Sequence, residues 1–110
     1  MAPAYPTQID VEDLAAMRRD GEGAAVLDVR EPWEVEICAI EGSIRIPLGA
    51  LPESIDRLPA DGPLVVICHH GGRSAQAVAW LRRNGFENAI NLRGGIDAWA
   101  RRIERGLATY

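Results

Sequence analysis

The sequence predicts an α/β fold of three layers, with a central, mostly parallel five-stranded sheet flanked by helices. Two observations carry this. Three short apolar runs, Ala24 to Val29, Leu64 to Ile67 and Ala89 to Leu92, are too apolar for half-exposed strands and read as strands buried on both faces. Stretches with apolar residues at helical spacing lie between and after them. Such alternation builds parallel neighbours joined by right-handed crossovers.

In chain order, residues 1–7 hold two prolines and little to bury, and are expected to be a mobile lead-in. The domain then runs over residues 8–110, with a short edge segment around Gln8-Ile9. Asp10 suits the N-cap of a helix through Val11, Leu14, Ala15 and Met17, which the glycines after Asp20 would end. Ala24 to Val29 forms the next strand. Pro32 falls in the first turn of a short helix opened by Glu31. Ser43 to Ile46 reads as a third strand, closed by Pro47. Leu51, Ile55 and Leu58 predict a helix over 48–58, and Pro59 to Pro63 a turn. After Leu64 to Ile67, the residues Ala75, Val78, Ala79 and Leu81 mark the inward face of a helix, with Arg82 and Arg83 outward. Asn84-Gly85 supplies its left-handed cap. Ala89 to Leu92 is the last strand, and a final helix opens near Ile96. Trp99 and Trp80 are read as core residues.

With 110 residues, the chain is one domain. Its 47% hydrophobic and 25% charged content are those of an ordinary globular protein. A net charge of -4, without a basic patch, argues against nucleic-acid binding. No apolar run approaches the ~20 residues of a membrane span. The first residues have neither a basic n-region nor an apolar h-region, so a cytoplasmic setting with both cysteines free is expected.

Function is concentrated in Cys68-His69-His70-Gly71-Gly72-Arg73-Ser74. Cys68 ends the central strand, and the loop after it feeds a helix N-terminus, the place where open α/β sheets bind ligands. The first N–H groups of a helix lack intrahelical partners and carry the positive end of its dipole. Gly71 and Gly72 let the backbone curl into an anion-binding nest. A thiolate inside such a ring is stabilised against its thiol, and Arg73 adds a permanent positive charge. This describes an activated sulfur nucleophile.

The loop resembles the active-site loop of rhodanese-type sulfurtransferases. The resemblance covers Ile9 to about Ile103, and is supported by Asp28-Val29-Arg30 and by Leu92-Arg93-Gly94-Gly95. It departs at Ala39-Ile40-Glu41-Gly42-Ser43, where many members carry a glycine-histidine-isoleucine-proline-glycine-alanine stretch. It implies that Cys68 takes sulfane sulfur from a small donor, thiosulfate or a persulfide, and becomes a persulfide. An acceptor thiol, or cyanide, then removes that sulfur. A sulfur-relay protein is a conceivable partner, and no cofactor is expected. Four residues separate Cys68 from Arg73, whereas the phosphatases and arsenate reductases built on this fold place five. The shorter loop suits one sulfur atom. A non-enzymatic carrier or regulatory binding module remains the main alternative.

Other residues keep two readings. Asp28 and Arg30 either brace the loop, by an ion pair between Asp28 and Arg73, or serve as a local cap and a solvated side chain. Cys38 is either a small buried apolar residue or a resolving thiol. His69 and His70 adjoin Cys68, but structural zinc sites usually space their ligands and number four, so no metal is expected. Neutral histidines leave the fixed charge to Arg73. The hydroxyl of Ser74 is expected to cap the loop. Gly94 and Gly95 would let the last turn pass close to it.

Overall fold

The computed structural model describes residues 4–21 and 23–110; the first three residues of the expected lead-in and Glu22 lie outside them. Five strands form one sheet: β1 (Gln8–Ile9), β2 (Ala25–Asp28), β3 (Ile44–Arg45), β4 (Leu64–Ile67) and β5 (Ala89–Leu92). Their order is β1-β5-β4-β2-β3, and every neighbouring pair is parallel. Helices α1 (Val11–Arg19), α2 (Pro32–Ile37), α3 (Gly72–Arg83) and α4 (Gly95–Arg102) accompany the sheet. All five expected strands are present, although β3 is shorter than Ser43 to Ile46.

Because strand side chains alternate faces, β4 feeds two cores. Val65 and Ile67 join Val11 and Leu14 of α1 and Ile96 and Trp99 of α4 on one side. Leu64, Val66 and Cys68 join Ala77, Val78 and Leu81 of α3 on the other. Both faces of the sheet are thus covered, which is why these strands show no polar alternation. Full burial of each such Leu, Ile or Val contributes about 1.5–3 kcal/mol.

The expected helix over 48–58 is instead two short 3-10 segments, Leu48–Glu53 and Ile55–Arg57, interrupted at Ser54. Pro52 has no N–H to donate, and the segment's carbonyls find i+3 partners, as in Ser54 N–H to Leu51 O at 3.0 Å. The inward face of α3 is Ser74, Ala77, Val78 and Leu81. Ala75 and Ala79 are exposed, so of the four residues expected on this face Val78 and Leu81 point inward and the two alanines do not. Arg82 does not turn outward: it folds over the sheet edge and donates to the carbonyls of Ala89, Tyr5 and Pro6. The described part of the lead-in is tied down by those bonds and by Tyr5, which packs on the core. Trp99 is buried, Trp80 half-buried and Trp33 exposed. Among the described residues, no helix is long and apolar enough to cross a membrane.

Two connections place the site. From β2 the chain moves outward to β3; from β4 it moves the other way to β5. The carboxyl ends of β2 and β4 therefore flank a point where the winding reverses. Asp28 sits opposite Ile67 in the register, and Val29 N–H bonds Ile67 O at 3.0 Å. The aspartate-valine-arginine segment and Cys68 share one rim, as parallel strands require.

Candidate active site

Cys68 lies at the floor of its loop, and the residue is only 1% exposed. Two main-chain donors and one hydroxyl, which can donate or accept, surround its sulfur. Gly71 N–H stands at 3.1 Å, Ser74 N–H at 3.3 Å, and the Ser74 hydroxyl at 3.3 Å. Low exposure keeps water from competing with these bonds, which strengthens them.

The loop keeps this shape for two backbone reasons. Gly71, the N-cap of α3, has φ +112°, a left-handed value that L side chains seldom adopt. Gly95 begins α4 with φ +58°, and its bare Cα lies against the loop. A Cβ there would clash with the carbonyl oxygens of Cys68 and His69. In the absence of one, Ile96 N–H reaches Cys68 O at 2.9 Å and Asp97 N–H reaches His69 O at 3.1 Å. The N-terminal amides of α4 thus hold the outer carbonyls of the loop, as the paired glycines had suggested.

Arg73 has a different partner from the one expected. Asp28 does not pair with it. The Arg73 guanidinium grips Glu34 of α2 through two parallel bonds of 2.7 Å, from Nη1 to Oε2 and Nη2 to Oε1. Asp28 is occupied by Arg30, whose Nη2 lies 2.7 Å from Oδ2 in a pair whose side chains are both 0% exposed. Arg30 also donates to the carbonyls of Glu34 and Cys38 and to the Tyr110 hydroxyl. Such a fork satisfies both members of a buried pair, and Arg30 reaches the backbone that carries Glu34 rather than the loop itself.

Electrostatics follow the geometry. The Arg73 bonds hold the Glu34 carboxyl down, from 4.5 to about 2, against the opposing effect of burial. Glu34 in turn raises the Arg73 value. Burial pushes the Tyr110 hydroxyl up to about 12, with Arg30 opposing, so it stays a neutral donor to Glu34 Oε1 at 2.8 Å.

The Tyr110 ring stacks on His69, with centroids 3.8 Å apart and planes 7° from parallel. Nε2 of His69 is buried and has no hydrogen-bond partner among the described residues. His70 is exposed, its Nδ1 3.9 Å from Asp97 Oδ2. Potential ligand atoms of His69, His70 and Asp97 lie within 4.8 Å of one another, a clustering that adjacency in sequence did not suggest, although Arg101 already binds Asp97 at 3.0 Å. Gly72 is the first residue of α3, and its Cα faces open space. Cys38 packs in the core on the face opposite to Cys68.

Four contributors escaped the sequence reading: Glu34, Tyr110, Asn91 and Gln8. Two had a legible signal. Glu34 stands three residues after the N-cap Glu31, the position from which a glutamate side chain reaches back to cap the helix. Asn91 is a polar residue inside the apolar strand Ala-Ile-Asn-Leu, and a buried amide demands partners. It accepts a 2.5 Å bond from the Ser74 hydroxyl.

Comparison with known proteins agrees with this geometry. A family profile described as "Rhodanese-like domain" matches residues 10–102. A protein named "Sulfurtransferase" from Allochromatium vinosum is 37% identical over 94 residues, covering 86% of this chain and 88% of its own. "Thiosulfate sulfurtransferase GlpE" of Pseudomonas fluorescens is 35% identical over 92 residues, covering 84% and 83%. The crystal structure of a rhodanese-related protein from Thermoplasma volcanium superimposes with a TM-score of 0.79 at 40% identity, covering 94% of this chain and 95% of that one.

Proposed function

The chain belongs to the rhodanese-like domain family of sulfurtransferases, and on that premise we propose that Cys68 carries sulfane sulfur between a small donor and a thiophilic acceptor. The supporting observation is the convergence of Gly71 N–H and Ser74 N–H on one sulfur atom, with the Ser74 hydroxyl beside it at 3.3 Å.

In the first half-reaction the Cys68 thiolate attacks the outer sulfur of the donor. A new S–S bond forms at Cys68, and the bond to the donor breaks. The donor leaves with the electron pair: sulfite from thiosulfate, a thiolate from a persulfide. In the second, an acceptor thiolate or cyanide attacks the terminal sulfur of the persulfide. Cys68 leaves as thiolate, so the enzyme returns unchanged and no external oxidant is consumed. The charge on sulfur in each step lies among fixed donors, in the manner of an oxyanion hole. Arg73 shapes the loop through Glu34, whose carboxylate balances its charge. The protein named thiosulfate sulfurtransferase supports thiosulfate as the donor, and its 35% identity leaves a persulfide as the other small donor of fitting chemistry.

Mass spectrometry of protein treated with thiosulfate and kept from reductants tests this reading. A gain of about 32 Da on Cys68, removed by cyanide as thiocyanate, is expected. Cys68→Ser should show neither. A wild-type protein that takes up no sulfur from thiosulfate or from a low-molecular-weight persulfide would refute the carrier role and leave a binding module. Hydrolysis of an aryl phosphate by the same protein would point to the phosphatases instead.

A further inference from the structure

A row of polar side chains runs from the Cys68 sulfur to the edge of the sheet. Ser74 Oγ lies 3.3 Å from Sγ and 2.5 Å from the Asn91 amide. The other end of that amide lies 2.9 Å from Gln8. The far end of the Gln8 amide lies 3.0 Å from both Nε and Nη2 of Arg93, whose Nη1 is anchored to Asp10 at 3.2 Å. Amide oxygens and nitrogens are distinguished by their partners, so the row can be read in two directions.

In one direction a Cys68 thiol donates to Ser74, Ser74 to the Asn91 oxygen, and the Asn91 nitrogen to the Gln8 oxygen. The 2.5 Å Ser74–Asn91 distance suits such an O–H···O bond. The cost falls at the edge, where the Gln8 NH2 group faces the Arg93 guanidinium, donor against donor. In the other direction Gln8 gives its oxygen to Arg93 and its nitrogen to Asn91. Asn91 must then turn its oxygen to Gln8 and its nitrogen to Ser74. The single Ser74 hydrogen is released to point at Cys68. Every group is now satisfied provided that the sulfur is an anion.

Taking Cys68 as the sulfur carrier, we propose that Ser74, Asn91 and Gln8 form a reversible hydrogen-bond chain, and that Arg93 biases it toward the direction that donates to an anionic sulfur, thiolate or persulfide. Asn91 and Gln8 are positioning residues: neither touches the reacting atoms. The thiol proton leaves to solvent. Reversal then rotates one hydroxyl and two amides, and no proton travels along the chain. Hydrogen bonds of one sense polarise one another, which is how an edge residue is felt at the sulfur.

The test uses Gln8→Glu against Thr7→Glu. Gln8 is exposed on an edge strand, so the fold tolerates the change. A carboxylate at position 8 only accepts: it binds Arg93, takes the Asn91 nitrogen, and locks the chain in the thiol direction. Thr7→Glu adds the same charge one residue away without entering the chain. The charged and titratable groups around the loop, Arg73 with Glu34, Arg30 with Asp28, His69, His70, Asp97 and Tyr110, are untouched in both. The readout is the rate of iodoacetamide alkylation of Cys68 at pH 7, located by peptide mass to exclude Cys38, together with the melting temperature.

The expected result is that Gln8→Glu reacts roughly tenfold more slowly than Thr7→Glu, the scale of one lost hydrogen bond to a charged group, with no fall in melting temperature. Gln8→Leu, which can bond in neither direction, should lie between wild type and Gln8→Glu. Equal rates for Gln8→Glu and Thr7→Glu would overturn the chain. Alkylation requires no sulfur donor, so failure of this proposal is distinct from failure of the transferase reading.

Discussion

Glu34 and Arg73 meet in a two-pronged ion pair that ties the helix after β2 to the helix after the cysteine loop. The two residues are 39 positions apart in sequence. The Glu34 side chain is 4% exposed and that of Arg73 36%, so the pair has one face in the protein and one in solvent. Glu34 also caps its own helix, accepting from Glu31 N–H at 2.9 Å. One carboxylate therefore fixes both the start of α2 and the loop arginine.

Acid should reveal this pair. The Glu34 value falls from 4.5 in the unfolded chain to about 2 in the folded one, chiefly through Arg73. The stabilisation is complete above about pH 4.5 and is lost as the pH falls toward 2. Its size is on the order of 2 kcal/mol, because solvent screens the outer half of the pair. Urea unfolding of wild type and Glu34→Gln at pH 7 and pH 3 checks this. The gap between the two proteins should narrow at pH 3, and a constant gap would contradict it.

Arg73→Lys removes the fork and leaves a point charge, which cannot hold both Glu34 oxygens. Sulfur transfer, measured as kcat/KM for thiocyanate formation, should fall at least about tenfold, while stability changes by only about 1 kcal/mol. Wild-type turnover would show that the loop needs the charge alone.

Gly95→Ala should be among the most damaging single changes. The added Cβ would stand 2.5 Å from His69 O and closer still to Cys68 O, and φ +58° is strained for alanine. The helix start must back away from the loop, breaking the bonds of Ile96 and Asp97 to those carbonyls. A loss of about 3 kcal/mol or more is expected in chemical unfolding. Gly106→Ala, with nothing within 4 Å of its Cβ, is the control and should be near neutral.

Tyr110→Phe keeps the ring on His69 and deletes the hydroxyl between Arg30 and Glu34. Both partners retain other bonds, so the cost should be about 1–2 kcal/mol in melting experiments. Activity should fall severalfold at most, since the hydroxyl bonds neither the sulfur nor Arg73. A larger activity loss would place the tyrosine in the reaction.

The chain's own pattern accounted for much of this. Runs such as Leu64-Val65-Val66-Ile67 announced strands covered on both sides, and the glycines after Cys68 and at 94–95 announced tight turns. The 3-10 segments at 48–57 were not legible, because Leu51, Ile55 and Leu58 satisfy a helical spacing that Pro52 then spoils. Ala75 and Ala79 misled for a related reason: alanine suits either face of a helix.

The sequence by itself determined the parallel sheet, the position of Cys68 at the end of its middle strand, and the loop that turns main-chain donors toward the sulfur. These follow from local rules of burial, φ preference and helix termini, which act over a few residues. Only the tertiary structure decided which charges pair. Asp28, the nearest candidate in the shared motif, was taken by Arg30, and Arg73 was left to Glu34. Arginines and carboxylates are interchangeable in one dimension, and a fork closes only where strand order and helix direction bring its two halves within 3 Å. The same holds for the row from Gln8 to Ser74, whose members come from β1, β5 and α3 and adjoin only because β1 pairs with β5 at the sheet edge.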